Sequence, residues 1–317
     1  MGIVGVERLV YGTVDMDEAI RFHQDWGLHT AVRAPSGADF QLEDGTTVLI
    51  REASDPSLPA PFIDWTSELE SSTVREVVWG VDSRDSLDGI VSELSRDRQV
   101  TRDAYGVAHC RDDLGNAIAF CVTGRKPVRH DLPPANGVGQ TLRLNQRNEA
   151  AKRRTVNPCR FSHIVYWVPS DPEAGVAFYT KRLKFRVTDQ IVDGSAFLRA
   201  PLSDDHHSLF LQRRNGLAGF QHVAYEVARS DDVMLLGSKM ESRGWRTNVG
   251  PIRHNIGGSL SWYIWNPAGG VAEALADIDR ADDGWQVGTH DPASPDFYGH
   301  TWVARPEQKD TKPADWS

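Results

Sequence analysis

The sequence predicts an α+β fold built as two tandem domains, each made of two βαβββ units. A length of 317 residues suits two domains of ordinary size. Residues 9–22 (LVYGTVDMDEAIRF) and 164–178 (IVYWVPSDPEAGVAF) share a β-rich run, an acidic turn and an amphipathic helix. These similar segments lie about half the chain apart, which indicates a duplication and not a short-period solenoid.

Each half continues with the same succession of elements. An extended stretch follows the first helix in both halves, as TTVLIRE and as HHSLFLQ. Residues 74–97 and 220–244 then each contain an alternating strand, an acidic turn and a helix, and the segments 112–120 and 266–275 close the halves with a strand. Because strands dominate and each helix can cover only one sheet face, the class is α+β.

The pattern divides the chain into four parts. Residues 1–130 form an N-terminal domain, 159–281 form a C-terminal domain, and 131–158 form a polar linker broken by Pro and Gly. Residues 282–317 are rich in Asp, Pro and Trp, and we interpret them as an irregular tail that covers a surface.

Composition excludes several classes of protein. The net charge of −9 and the absence of a basic face argue against a nucleic-acid partner. No apolar run reaches the roughly 18 residues that a membrane span needs, and the first ten residues lack the apolar region of a signal peptide. The cysteines Cys110, Cys121 and Cys159 form neither a disulfide framework nor a C-x-x-C site, which predicts reduced thiols in a cytoplasmic protein.

Histidines are concentrated in the second half, where seven of the eleven lie. His163 lies on its first strand (FSHIVYWV), His222 on a later strand (FQHVAYEV), and Glu273 on the closing strand (GGVAEALAD). A carboxylate between apolar neighbours is costly unless it is paired or binds a metal. Two histidines and one carboxylate with open positions are the facial triad of non-haem Fe(II) oxygenases.

The first half lacks this set. Alignment on the turns places Leu9 opposite His163, Glu76 opposite His222 and Ala119 opposite Glu273. Taken singly, a strand histidine is more often a core residue and a buried glutamate an ion-pair partner. The coincidence of all three on corresponding strands of one repeat favours a metal site.

Other residues near this set could supply acid, base and hydrogen bonds. His206 and His207 open a strand, and His254 lies in a Gly-rich loop (RHNIGGSLSWY) nine residues before Tyr263. Simpler roles are an exposed loop end for one of the paired histidines and a core position for Tyr263. Trp262 is either a packing residue or a pocket wall, and Arg253 either meets a substrate carboxylate or forms a surface salt bridge.

The second half resembles the catalytic domain of type I extradiol catechol dioxygenases, of the vicinal oxygen chelate superfamily. The matching pieces are FSHIVYWV, HHSLFL, FQHVAYEV and RHNIGGSLSWYIWNPAGGVAE. That family also has a degenerate N-terminal half, so the resemblance covers nearly the whole chain. It implies that His163, His222 and Glu273 bind Fe(II), with Mn(II) less favoured. It also implies that His207 is the acid/base and that His254 and Tyr263 line the substrate and dioxygen pocket.

The resemblance further implies an activity. A member of this family inserts both atoms of O2, its co-substrate, into a catecholic ring and gives a muconic-semialdehyde-type product in aromatic-compound degradation. Trp262, Arg253 and His206 are then the expected substrate-binding residues, and residues 282–317 a lid. Ser294 and Pro295 stand where homoprotocatechuate-cleaving relatives have arginines, which argues against that substrate. Relatives are oligomers, so a homo-oligomer is expected.

Two other functions stay open. The first is a non-oxidative metal-dependent lyase or isomerase on the same scaffold, whose metal site would be assembled across both modules. Only Glu76 of the first half could contribute to such a site, which disfavours it. The second is a metal-free protein that binds small aromatic molecules, which leaves the coexistence of His207, His254 and Tyr263 unexplained.

Overall fold

The predicted α+β class is confirmed by two large mixed sheets with few helices. The computed structural model describes residues 2–34, 36–61, 72–131, 134–148, 155–297 and 299–304. Among these residues, no helix is both long and apolar enough to cross a membrane. Parts of the predicted linker and the end of the predicted tail lie outside the described residues.

The first sheet contains eight strands in the order β2-β3-β4-β1-β5-β8-β7-β6. Its elements, with the two helices of the domain, are β1 (Ile3–Thr13), α1 (Met16–Asp25), β2 (His29–Ala34), β3 (Gly37–Gln41), β4 (Thr47–Glu52), β5 (Thr73–Val81), α2 (Arg84–Leu94), β6 (Thr101–Arg102), β7 (Ala108–Arg111) and β8 (Ala117–Val122).

The second sheet contains ten strands in the order β17-β10-β11-β12-β9-β13-β16-β15-β14-β18. Its elements, with a π-helical turn at Phe178–Arg182, are β9 (Arg160–Val168), α3 (Glu173–Ala177), β10 (Arg186–Ile191), β11 (Ala196–Arg199), β12 (Leu209–Arg213), β13 (Gly219–Glu226), α4 (Ser230–Ser242), β14 (Thr247–His254), β15 (Leu260–Trp265), β16 (Val271–Ala276), β17 (Gly288–His290) and β18 (His300–Val303).

The two sheets repeat the same pairing, as a duplication requires. In the first, β1 is parallel to β4 and antiparallel to β5; in the second, β9 is parallel to β12 and antiparallel to β13. The last strand of each repeat, β8 or β16, lies parallel to β5 or β13. Corresponding positions of the two domains can therefore be found from the register of these strands.

Local sequence explains how the first helix of each domain begins. Asp15 caps α1 by accepting a hydrogen bond of 2.9 Å from the backbone N–H of Glu18, and acidic side chains occupy the first turn. The corresponding helix α3 is only five residues long and continues as the π-helical turn. That turn carries Tyr179, whose hydroxyl donates to Asp112 of the first domain at 3.0 Å.

Aromatic side chains join the two domains. Trp26 of α1 packs edge-on against Tyr225 of β13 at 5.6 Å between ring centres, and Phe22 packs against Trp245 at 5.0 Å. The Trp245 indole N–H donates to Asp25 at 2.9 Å. The first helix of the first domain thus packs against the second domain, and α4 covers the face of the second sheet that carries Trp262, opposite the site described next.

The tail differs from the irregular segment that the sequence suggested. Within residues 282–317, β17 extends the second sheet beside β10, and β18 extends it beside β14. Both strands are short and lack the alternation of polar and apolar residues that marks a longer strand, because only their backbone joins the sheet edge. The two tail strands, β17 and β18, therefore form the two edges of the second sheet.

Candidate metal centre

Three side chains of the second sheet converge on one point. Nε2 of His163 lies 3.2 Å from Nε2 of His222 and 3.2 Å from Oε2 of Glu273. Nε2 of His222 lies 3.1 Å from the same carboxylate oxygen. All three residues are buried. The structure thus brings together the whole set of ligands that the sequence predicted.

The register of three neighbouring strands produces this convergence. His222 of β13 pairs with Val165 of β9, and Glu273 of β16 pairs with Ala224 of β13. His163 lies two positions before Val165, so it shares a sheet face with it. The three side chains therefore point from adjacent strands into the concave side of the sheet.

The geometry of this set fits a divalent ion. Ligand atoms at right angles around a metal, with bonds of about 2.1 Å, are about 3.0 Å apart. The measured separations of 3.1–3.2 Å agree with that value. Among the described residues, neither oxygen of the Glu273 carboxylate has a hydrogen-bond partner. A buried carboxylate without partners is costly, and a bound cation removes that cost.

Burial controls the protonation of the groups around this set. It lowers the pKa of His222, and it lowers the pKa of His254 to about 4. Burial, with the nearby Glu273 charge, raises the pKa of the Tyr263 phenol well above its usual value. The histidines are therefore neutral and the phenol protonated near pH 7, which are the forms suited to ligation and to hydrogen-bond donation.

Three more predicted residues stand beside the triad. The imidazole of His207 lies 4.0 Å from that of His163 between ring centres. Nε2 of His254 is 2.8 Å from the Tyr263 hydroxyl and 3.9 Å from Oε1 of Glu273. Burial, followed by the charge of neighbouring histidines, lowers the pKa of His207 well below 6.5. The structure thus places a neutral base and a coupled imidazole–phenol pair on two sides of the triad.

A chain of hydrogen bonds holds His207 from behind. Nδ1 of His207 is 3.1 Å from Nδ1 of His206, whose Nε2 is 2.7 Å from Oδ2 of Asp189. The other carboxylate oxygen of Asp189 accepts from the Gly288 N–H at 2.6 Å and lies 3.2 Å from Nε2 of His290. The tail strand β17 therefore takes part in fixing the orientation of His207.

A cavity of about 610 Å³ opens over the triad. Its walls include apolar side chains from four strands, namely Val165, Phe197, Phe210 and Ile252. The two described segments of the tail contribute Pro292, Phe297, Gly299, His300 and Val303. Such a mixture of apolar walls with a few converging polar groups is typical of a small-molecule site.

The structure corrects the expected substrate-binding residues, none of which lines the cavity. Trp262 packs in the core, where its indole N–H donates to Thr247 at 3.0 Å. Arg253 forms a salt bridge of 2.9 Å with Asp277. His206 is fully buried behind His207. Trp262 and Arg253 are each the chain neighbour of a cavity residue on the same strand, so their side chains point to the opposite face, whereas His206 lies before β12 and outside any strand.

The structure also corrects one position of the comparison between halves. Leu9 pairs with Val48 and Val77, as Ile164 pairs with Leu209 and Val223. The position equivalent to His163 is therefore Arg8, and Leu9 is a core residue. The segment between strand and helix differs in length between the domains, at residues 14–15 and 169–172, so alignment on the turn does not give the register of the strands.

Sequence reasoning missed several cavity residues. Asn248 and Gln221 line the cavity, and Oε1 of Gln221 contacts Nδ1 of His222 at hydrogen-bond distance. Gln221 could have been found, because it precedes a predicted ligand and a ligating histidine commonly bonds a polar group through its other nitrogen. Phe297 and His300 had no such signal, because the tail lacks any pattern that fixes its path.

Comparisons with known proteins agree with this geometry. Residues 160–269 match the sequence profile of the Glyoxalase/Bleomycin resistance protein/Dioxygenase superfamily. A stretch of 168 residues is 31% identical to metapyrocatechase 2 of Cupriavidus necator, and it spans 52% of this chain and 50% of that protein. The matched stretch thus covers about half the length of this curated relative.

Solved structures share the fold along nearly the whole chain. One is 2,2′,3-trihydroxybiphenyl 1,2-dioxygenase from dibenzofuran-degrading Sphingomonas wittichii, with a TM-score of 0.72, 17% identity, and coverage of 97% of this chain and 100% of that chain. Another is the Mn(II)-bound glyoxalase from Novosphingobium aromaticivorans, with a TM-score of 0.71, 23% identity, and coverage of 92% and 88%. The match to the Glyoxalase/Bleomycin resistance protein/Dioxygenase superfamily thus covers residues 160–269, and the chain as a whole has the vicinal oxygen chelate fold that these solved structures share.

Proposed function

We propose that this protein is an Fe(II)-dependent extradiol dioxygenase, which inserts both atoms of O2 into a catecholic ring and gives a muconic-semialdehyde-type product. The observation that carries the proposal is the convergence of His163, His222 and Glu273 within 3.1–3.2 Å of one another at the floor of a cavity. The 31% sequence identity to metapyrocatechase 2 over 168 residues supports it.

His163, His222 and Glu273 would hold the metal. When bound, Fe(II) would lower the pKa of the vicinal hydroxyls and supply the redox chemistry with dioxygen. The two imidazoles and single carboxylate also suit Mn(II), so the ligand set favours a divalent ion of this kind without distinguishing the two.

The cavity walls would position the ring and exclude water. The stacked rings of Phe197 and Phe210 lie 3.9 Å apart between centres, beside His207 at 5.0 Å from Phe197. Val165 and Ile252 contribute further apolar surface on the concave face. A planar aromatic substrate would bury its faces against these side chains, which leaves its hydroxyls directed at the polar floor.

Proton transfer would fall to the two groups beside the triad. The neutral imidazole of His207 can accept a substrate hydroxyl proton and return it later, because burial keeps it unprotonated near pH 7. The Tyr263 phenol keeps its proton and can donate a hydrogen bond to a substrate oxygen, while His254 orients that phenol at 2.8 Å. His206 and Asp189 would act as positioning residues for His207.

A metal-dependent lyase or isomerase is the second candidate, because a Mn(II)-bound glyoxalase shares the fold. In the described part of the N-terminal domain, Arg8, Glu76 and Ala119 occupy the positions equivalent to the proposed ligands. They do not form a second metal-ligand triad. Of these three only Glu76 could ligate a metal, so a site assembled across both domains would find one ligand at these positions, which favours the dioxygenase. A cytoplasmic location and a homo-oligomeric assembly stay predictions from the sequence.

Oxygen uptake tests the proposal. Protein purified without oxygen and loaded with Fe(II) or Mn(II) would be mixed with a panel of substituted catechols, with formation of a yellow ring-fission product followed in parallel. We expect uptake and yellow product in proportion to bound metal, and loss of both in His163→Ala. Oxygen uptake that persists in His163→Ala would contradict the proposed reaction. Bound metal without oxygen uptake in the presence of any of the catechols would also contradict it.

A further inference from the structure

A second group of metal-ligand side chains lies away from the cavity, where the linker passes between the domains. Glu43, His130 and Cys159 each offer one ligand atom, and these atoms lie within 4.8 Å of one another. Nε2 of His130 is 2.7 Å from Oε2 of Glu43 and 3.5 Å from Sγ of Cys159. Among the described residues, this is the one other group of three that meets the geometric condition satisfied by the catalytic triad.

Three separate segments bring these side chains together. Glu43 lies in the turn between β3 and β4, His130 lies in the chain after β8, and Cys159 precedes β9. The first and last segments are bonded directly, because the backbone N–H of Asp44 donates to the Cys159 carbonyl at 2.9 Å. The Lys126 N–H donates to the Asp44 carbonyl at 2.8 Å, which ties the chain after β8 to the same turn. Two of the ligand positions are thus fixed before any ion binds.

The charges around the thiol favour a cation. Cys159 is buried, and the carboxylates of Glu43, Glu226 and Asp232 surround it. Burial, followed by the charge of Glu43, raises the pKa of the Cys159 thiol, so it holds its proton when no cation is present. A divalent cation would displace that proton and form a bond with the thiolate, which makes the binding pH-dependent.

We propose that Glu43, His130 and Cys159 bind Zn(II) at a site that joins the two domains where the linker begins and ends. One thiolate, one imidazole and one carboxylate are the ligand types that zinc prefers, and their combined charge of about −2 balances the ion. Three protein ligands leave the fourth tetrahedral position to water.

The observed separations are close to those that such an ion imposes. With bonds of about 2.3 Å to sulfur and about 2.0 Å to nitrogen, tetrahedral ligands are about 3.5 Å apart, which agrees with the distance between Cys159 and His130. The oxygen of Glu43 must withdraw from His130 by about 0.6 Å. Both side chains are partly exposed, at 23% and 32%, so rotation can supply this small change.

Cobalt spectroscopy distinguishes this site from the catalytic triad. Co(II) would be titrated into metal-stripped protein, because a cobalt–thiolate bond gives a near-ultraviolet charge-transfer band. The triad has no sulfur, so it cannot produce this band. We expect the band to grow to one equivalent per chain, to be bleached by Zn(II), and to be unchanged in His163→Ala, where the triad is broken.

Matched cysteine variants provide the control. Cys159→Ser should remove the band, whereas Cys121→Ser should keep it, since Cys121 belongs to no ligand group among the described residues. His130→Gln, at an exposed position, should weaken the cobalt binding that produces this band at least tenfold. Absence of the band in the wild-type protein, or its persistence in Cys159→Ser, would overturn the proposal.

Discussion

Eight strands of each domain share one order, yet among the described residues only the second domain brings the three proposed metal ligands together beneath the cavity. The register of the sheets identifies which residues correspond. The equivalent pairs are Arg8 and His163, Glu76 and His222, Ala119 and Glu273, and His109 and Tyr263. The same backbone therefore supports a ligand set in one half and none in the other.

The hydrogen-bond partners of two buried carboxylates, Glu76 and Glu273, differ between the two domains. In the first domain, Oε1 of Glu76 is 2.9 Å from Nδ1 of His109, and this hydrogen bond raises the pKa of His109. In the second, the Glu273 carboxylate has no hydrogen-bond partner among the described residues. A carboxylate with its own partner is stable without an ion, whereas one without a partner is poised to bind a cation.

The largest effect should come from a substitution of His222, compared with a separate substitution of Glu76, the equivalent residue of the first domain. His222→Gln removes a proposed ligand, and we expect more than about 100-fold loss of metal affinity and of oxygen uptake, because even outer partners of ligands cost about 10–100-fold. Glu76→Gln changes the equivalent residue of the first domain and can still bond His109, so metal content should stay at the wild-type level. Equal metal loss in both variants would show that the faces do not differ as proposed.

The hydrogen-bond chain behind His207 gives the next test. The first domain has the exposed Val32 at the place of Asp189, so the chain is confined to the second. Asp189→Asn should lower kcat about tenfold and leave KM unchanged, because it loosens His206 without touching the cavity. His290→Gln should have a smaller effect, since it leaves the bond to His206 intact. A change in KM alone would contradict a positioning role.

A smaller effect on catalysis should come from the tail, whose described strands extend the second sheet. Phe297 lines the cavity, whereas Trp302 is exposed and does not. Phe297→Ala should raise KM for a catechol several-fold, since a lost apolar contact is worth about 1 kcal/mol, and Trp302→Ala should leave KM unchanged. Steady-state kinetics of both variants would decide this. Equal KM values for Phe297→Ala and the wild type would exclude the tail from substrate binding.

Alternation along strands explains which site residues could be predicted from sequence. The ligands were visible because polar residues on apolar strands of one repeat have few structural explanations. The three wrong substrate contacts, Trp262, Arg253 and His206, are each adjacent in the chain to a cavity residue. Adjacent strand residues face opposite sides of a sheet, so the pairs that contain Trp262 and Arg253 could each supply only one cavity side chain.

The fold itself was predictable, but its register and edges were not. The duplication is legible because strand, turn and helix recur in the same order. The segment between strand and helix differs in length between the domains, so alignment on the turn did not identify Arg8 as the equivalent of His163. Bulges in the pairing of β1 with β5 leave no trace in the pattern of apolar residues. The edge strands β17 and β18 contribute mainly backbone hydrogen bonds, so their side chains carry no signal of pairing.

The smallest effect at neutral pH, and the largest in acid, should come from the first helices of the two domains. His23 and Tyr179 each follow the phenylalanine of the repeat, and both are fully buried. Tyr179 donates to Asp112, whereas His23 bonds the Ala19 carbonyl through Nδ1 and, among the described residues, leaves Nε2 without a partner. Burial lowers the pKa of His23 to about 4.

The sign of the resulting pH dependence follows from this pKa. Between pH 6.5 and 4 the unfolded chain protonates His23 and the folded chain does not, so the free energy of unfolding falls as the pH falls. The free energy of unfolding should fall by about 2–3 kcal/mol between pH 7 and about pH 4.5. Urea unfolding at both values would measure it in the wild type, in His23→Phe and in His29→Gln, an exposed control. Other buried histidines titrate in all three proteins, so the difference between variants isolates His23: a shallower loss only in His23→Phe supports the assignment, and equal losses in all three contradict it.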